Sequence, residues 1–165
     1  MGKSNLRNIH GWINLDKPKG VTSAKAVFQV KKILNVKKVG HAGTLDPLAT
    51  GVLPIAVGEA TKTISFVMDM EKSYRCIASW GRETNTDDVE GKEIKFSTKR
   101  ASENDVKFSL KKYKGKIMQR PPNFSAIKVN GNRAYKISRL GKIPELTDRE
   151  VKVLEFTLEK TINKD

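Results

Sequence analysis

The sequence predicts an α/β fold of the α+β kind, a mixed and largely antiparallel sheet with helices on its faces. Three observations predict it. Short stretches of alternating or continuous apolar residues are interleaved with stretches whose apolar residues recur at helical spacing. Gly, Pro and Asn punctuate the boundaries between them. The 165 residues, 38% of them hydrophobic, suffice for one domain with a real core, so the chain is expected to form a single domain, 1–165.

The elements follow in order. Residues 12–15, Trp-Ile-Asn-Leu, read as a short strand, and Lys17-Pro18-Lys19-Gly20 as a turn in which proline presets the second position and glycine closes it. A helix follows, capped by Thr22 or Ser23, with Ala26, Val27, Val30, Ile33 and Leu34 inward and Lys25, Lys31 and Lys32 outward. A glycine-rich loop then runs into a buried strand at 52–57. Residues 59–68 read as a second helix, with Ala60, Ile64, Val67 and Met68 on its apolar side.

Residues 73–80 alternate, placing Tyr74, Cys76, Ala78 and Trp80 on one face of a predicted strand. Asn85-Thr86-Asp87-Asp88 with Gly91 makes an acidic loop before a strand at 93–96. Ser102 with Asp105 resembles a capping box that opens a helix running to about Tyr113, with Val106, Leu110 and Tyr113 apolar. Beyond Gly115, Pro121, Pro122, Asn130-Gly131 and Gly141 predict mostly loop or hairpin. Residues 151–158 alternate again as a strand, and the chain stops in Lys160-Thr161-Ile162-Asn163-Lys164-Asp165.

Charge narrows the function. The balance of 32 Lys plus Arg against 18 Asp plus Glu gives a net +14, typical of proteins that meet phosphate backbones. Residues 106–142 hold eleven basic side chains and no acid. There is no apolar run of about 18 residues and no apolar stretch in the opening MGKSNLRNIHGW, so the expected location is cytoplasmic, with no membrane partner. The lone Cys76 excludes an internal disulfide, and His10 and His41 alone make no zinc-site spacing, so no metal is expected.

One carboxylate stands apart. In GHAGTLDPLATGVLP, residues 40–54, Asp46 is the one formal charge, and 39–58 holds no other Asp, Glu, Lys or Arg. It is either structural, an Asx turn before Pro47, or a catalytic group held in a cleft. Asp-Pro is a common turn dipeptide, but turn aspartates sit among polar residues, and this one leads through Leu48-Ala49 into a predicted buried strand. Beside an RNA-binding surface a carboxylate repels phosphate, so it would act on sugar or base. No P-loop, no G-x-S-x-G and no zinc-deaminase signature occurs. A single carboxylate also suits neither two-metal phosphoryl chemistry nor a two-carboxylate glycosidase.

GHAGTLDPLATGVLP closely resembles the aspartate-bearing motif of the tRNA pseudouridine synthase B family, which isomerises the T-loop uridine (position 55) of tRNA. The likeness extends to LDKPKGVTS at 15–23, similar to that family's Lys-Pro motif, and to KSYRCIASWGRETNTDDVEG at 72–91 and QRPPNFSAIKVNGNRAYKISRLG at 119–141. It covers nearly the whole chain in the family's order and spacing.

The resemblance implies the pseudouridine synthase catalytic fold with an RNA-binding cleft. It implies that the N-glycosidic bond of uridine is cleaved, the uracil turns in the site and C5 is rejoined to the sugar, with no metal, redox or nucleotide cofactor. Asp46 takes the place of the essential aspartate, as nucleophile or as base. The flipped base needs an aromatic platform, and Tyr74 occupies the stacking position. By its alternation alone Tyr74 is a core strand residue. His41 corresponds to the histidine beside the flipped nucleotide, and Thr44 belongs to the same substrate-binding motif; Lys17 and Pro18 shape the cleft. The basic segment, about 115–150, corresponds to a loop that closes on the T-arm, where Lys128, Arg133, Lys136 and Arg139 meet RNA backbone.

Complete members of that family continue with a strand bearing a Lys-Gly-Thr-Tyr-Ile-Arg-like motif, whose arginine partners the aspartate, and nothing after Val151 contains it. The chain is therefore expected to be a C-terminally truncated catalytic domain. Two functions follow: a pseudouridine synthase, or a non-catalytic RNA-binding fragment of one.

Overall fold

The computed structural model describes residues 6–161, so the first five residues of the opening MGKSNLRNIHGW and the last four residues of the chain lie outside the described residues. The chain divides into two compact units, Met1–Arg75 and Cys76–Asp165.

The first unit is built on a three-stranded antiparallel sheet. Strand β1 (Gly11–Lys17) pairs along its whole length with β3 (Gly51–Val57), from Gly11 opposite Val57 to Lys17 opposite Gly51. Strand β2 (Val39–His41) lies on the other side of β3, ending at His41 opposite Ile55. The central position of β3 explains its continuous apolar run, because Leu53, Ile55, Ala56 and Val57 are all buried. Burying a side chain such as Leu53 or Ile55 contributes about 1.5–3 kcal/mol.

Pro54 is tolerated in this central strand because its missing N–H falls on the side where β2 has ended. There its carbonyl accepts from Ala42 N, 2.9 Å away, which turns the chain into the loop after β2.

Helix α1 (Ser23–Leu34) closes one face of this sheet. Thr22 caps it, accepting from Lys25 N at 3.1 Å, and Asn35 ends it in the left-handed conformation, with Lys31 and Lys32 in the last turn complementing the helix dipole. Ala26 joins Leu53 and Ile55 in the core, flanked by Ile13, Leu15, Val21, Val30, Val39 and Leu45. Ile33, placed inward by its spacing, is instead 76% exposed, on a face that no other described element covers.

The second predicted helix divides in two. Gly58–Thr63 is a 3-10 turn and only Ile64–Met68 is α-helical (α2). Thr61 donates to Gly58 O at 2.7 Å and Thr63 to Ala60 O at 2.9 Å, local bonds that favour the tighter winding. Helix α2 packs so closely on β2 that a Cβ at Gly40 would lie 2.7 Å from Ile64 Cδ1.

The predicted strand at 73–80 does not form. The segment has no hydrogen-bonded neighbour strand among the described residues, and the boundary between the two units falls within it.

The second unit carries three two-stranded antiparallel sheets. Strands β4 (Arg82–Thr84) and β5 (Glu93–Phe96) flank the acidic loop, where the Asp88 carboxylate accepts from Thr86 Oγ1, Glu90 N and Gly91 N at 2.7–3.1 Å. Helix α3 (Glu103–Leu110) carries the predicted capping box of Ser102 and Asp105, and its last turn tightens to 3-10 at Lys111–Tyr113.

Strand β6 (Gly115–Gln119), in the segment expected to be mostly loop or hairpin, pairs with β9 (Arg149–Val153). The strand predicted over 151–158 ends at Val153 because Val153 lies opposite Gly115, where a φ of +86° turns the partner away. The hairpin β7 (Lys128–Val129) and β8 (Asn132–Arg133) turns through Asn130 and Gly131, both at positive φ, the pair that a two-residue turn demands. It leads into α4 (Ala134–Arg139), a helix the breaker-rich sequence concealed. Pro121, Ala134, Pro144 and Leu146 are the buried residues described in this unit.

The class is thus α+β with every described pairing antiparallel, in four small sheets among the described residues.

Candidate functional site

The loop between β2 and β3 carries His41 at its start, then Thr44 and Asp46. Three contacts hold its main chain. Ser23, the first residue of α1, donates its hydroxyl to Leu45 O and accepts from Leu45 N, both at 3.0 Å. Gly20 N donates to Pro47 O at 2.7 Å. Lys17 Nζ reaches Val21 O at 2.7 Å, Pro18 O at 3.1 Å and Pro47 O at 3.5 Å, with its side chain fully buried. An ammonium has three protons and no acceptor, and three carbonyls surround this one. Lys17 therefore ties the turn after β1 to the Asp46 loop, and Pro18, itself exposed, supplies one of the carbonyls.

Asp46 is bracketed by these contacts without using its own side chain. Its turn is closed by main chain, Ala49 N donating to Asp46 O at 3.0 Å. Among the described residues its exposed carboxylate has no hydrogen-bond or ion-pair partner. The Asx turn considered from the sequence requires a side-chain bond that is not made. Asp46 is thus held through its neighbours' main chain with its carboxylate exposed to solvent.

His41 is half-buried, and its Nδ1 is paired with Gly43 O. That bond fixes the ring and leaves Nε2 as its other polar atom. Gly43 takes a φ of +103°, a conformation that L side chains rarely adopt, so the tight turn after His41 needs glycine. Thr44 is exposed between them.

Tyr74 is not joined to this group. It is 73% exposed in irregular chain, and among the described residues no hydrogen bond or ring contact ties it to the loop.

The basic residues lie in the second unit. Lys128 and Arg133 face one another as directly paired residues of the β7–β8 hairpin. Lys136 and Arg139 sit on α4, and Arg139 lies over the Tyr135 ring at 5.4 Å. All four are exposed, and none pairs with an acid among the described residues. Arg133 also donates to Ala126 O, which anchors its stem. Like charges directly opposite on a hairpin repel, and a bound anion relieves that repulsion.

Among the described residues no group of acids, His and Cys is placed to hold a metal ion, and no helix is long and apolar enough to cross a membrane.

Sequence reasoning missed the pair of hydrogen bonds between the Ser23 hydroxyl and Leu45. Thr22 alone satisfies the helix cap, so the second hydroxyl beside it was spare, and that redundancy was the available signal.

tRNA pseudouridine synthase B of Ehrlichia chaffeensis is 55% identical over 150 residues, covering 91% of this chain and 51% of the relative. The same enzyme of Bartonella henselae is 50% identical over 163 residues, covering 99% of this chain and 51% of the relative. The chain therefore spans about half the length of the curated relatives it matches. A chain in the crystal structure of a Cbf5-Nop10-Gar1 complex superposes with a TM-score of 0.50 at 31% identity, covering 84% of this chain and 32% of that one. The family model for the N-terminal domain of TruB family pseudouridylate synthases matches residues 31–165, including Asp46 and the basic hairpin, and on that match the chain belongs to the TruB family of pseudouridylate synthases.

Proposed function

We propose that this chain is the N-terminal part of a cytoplasmic enzyme that isomerises the T-loop uridine of tRNA to pseudouridine, and that both compact units belong to one catalytic domain. The observation that carries the reading is Asp46, pinned through Leu45 and Pro47 while its carboxylate stays unengaged.

In this reading the T-arm supplies a uridine that leaves its stack and lies against Tyr74, whose exposure leaves its ring faces open for stacking. Asp46 attacks the ribose or removes a proton from it, and the N-glycosidic bond breaks. The uracil turns, and C5 replaces N1 at the sugar. Asp46 gives up the ribose, or returns the proton it took, as C5 attaches; the C5 proton goes to solvent and N1 takes one up, so substrate and product have the same composition and no oxidant or energy donor is needed. His41 and Thr44, on the same loop, contact the flipped nucleotide. Lys17 and Pro18 keep the loop's shape. Lys128, Arg133, Lys136 and Arg139 hold RNA backbone, where each phosphate neutralised adds salt-dependent affinity.

A second reading is RNA binding without turnover, which the exposed, directly paired cations Lys128 and Arg133 would support by themselves. Tritium release from 5-tritiated uridine in a T-arm hairpin separates the two. The assay uses the chain joined to the C-terminal half of the Ehrlichia chaffeensis relative. Release at C5 supports the synthase, and binding without release supports the fragment.

A further inference from the structure

We infer that Ser23 is a positioning residue for Asp46: its hydroxyl transmits the rigidity of helix α1 to the catalytic loop through the main chain of Leu45. The inference rests on the reading of Asp46 as the reacting group.

Ser23 is 3% exposed, and its hydroxyl has one proton to donate and lone pairs to accept. Both capacities are spent on one residue 22 positions away. The hydroxyl accepts from Leu45 N and donates to Leu45 O, each at 3.0 Å. The N–H belongs to the peptide between Thr44 and Leu45, and the carbonyl to the peptide between Leu45 and Asp46. Because peptides are planar, fixing that carbonyl fixes the plane containing Asp46 N and Cα. On the far side, Pro47 has its own φ locked by its ring, and its carbonyl is held by Gly20 N and Lys17 Nζ. Asp46 thus has two soft dihedrals of its own between two clamped neighbours.

Ser23 can serve as an anchor because it does not move alone. It opens a helix that Thr22 caps and that Ala26 roots in the core with Leu53 and Ile55. The loop's own bonds, from Ala49 N to Asp46 O and between His41 Nδ1 and Gly43 O, stay within the loop, so the Ser23 hydroxyl adds a tie from it to the helix. A reacting group that drifts by about 1 Å loses rate by about a hundredfold, so a device that holds it belongs to the catalytic machinery without touching substrate.

The test uses Ser23→Ala, which removes the hydroxyl, and Ser23→Cys, which keeps the volume with a weak donor and acceptor. Amide exchange is followed in the 165-residue chain. Single-turnover tritium release and T-arm affinity are measured on the chain joined to the C-terminal half of the Ehrlichia chaffeensis relative. In both variants the Leu45 amide is expected to exchange at least about tenfold faster, with the Ile55 amide unchanged. The single-turnover rate is expected to fall about 10- to 100-fold, with RNA affinity within about twofold. A Cys variant with the parent's rate would show that packing volume matters and the hydrogen bonds do not, overturning the inference. So would an unchanged Leu45 amide, or an Ala variant within twofold of the parent's rate. Asp46→Asn is run beside them. If it keeps its rate, the reading of Asp46 fails; if it is inactive while Ser23→Ala is not impaired, only the clamp fails.

Discussion

Lys17 Nζ lies 3.5 Å from Pro47 O, so that a fully buried lysine meets the residue that follows the proposed catalytic aspartate. Among the described residues no carboxylate pairs with it; its partners are main-chain carbonyls from two loops. The family resemblance implies that Lys17 and Pro18 shape the cleft; in the structure Lys17 ties the turn after β1 to the loop that carries Asp46.

Replacing Lys17 by Met should therefore act first on stability. The methionine fills the space but leaves the carbonyls of Pro18 and Val21 without this donor, while Pro47 O keeps Gly20 N, at a cost of about 1–3 kcal/mol. Urea denaturation measures it, and an unchanged midpoint would mean that these carbonyls find other partners.

Tyr74 should show the opposite pattern. Because it is 73% exposed and lies outside any strand, Tyr74→Leu should leave thermal stability unaltered. It should weaken T-arm binding by about 1–3 kcal/mol, the value of one aromatic stack, whereas Tyr74→Phe retains it. Equal affinities for the two variants would remove Tyr74 from the base platform.

The basic hairpin combines two effects of opposite sign. Converting Lys128, Arg133, Lys136 and Arg139 to Gln relieves the repulsion between Lys128 and Arg133 but removes the bond from Arg133 to Ala126 O and the Arg139–Tyr135 contact, so the stability of this unit should change little. RNA binding should weaken, and its dependence on salt should flatten by about 0.7–0.9 of a log unit for each phosphate that is no longer neutralised. A titration slope identical to the parent's would show these charges facing only solvent.

Helix α3 should carry a local dependence on acid. Hydrogen bonds from the Ser102 hydroxyl and main chain hold the Asp105 carboxyl below its ordinary range. A depressed folded value means stability present above the unfolded value and lost as pH falls through the folded one. Amide protection in α3 should decline over that acidic window, and Ser102→Ala should move the decline to higher pH.

The sequence was most legible where local pattern and packing agree. The run Val52 to Val57 reads as a buried strand because β3 is central, and Ser102 with Asp105 reads as a helix start because the cap joins residues three apart. Alternation at 73–80 assigns faces to a strand but cannot supply a partner, and none pairs with it among the described residues. The end of β9 depends on Gly115, more than thirty residues earlier, and helix α4 has only six residues, too few for a periodic apolar signal amid its lysines and arginines. At the site, Asp46 stood out as a lone charge, whereas the Ser23 bonds span 22 residues and leave no periodic trace.

The central claim is that Asp46 performs the chemistry. Asp46→Asn keeps the shape of the side chain and removes its capacity as nucleophile or base. In the chain joined to the C-terminal half of the Ehrlichia chaffeensis relative, tritium release from a T-arm hairpin should disappear while RNA affinity stays within about twofold of the parent's. Residual turnover within tenfold of the parent would contradict the account.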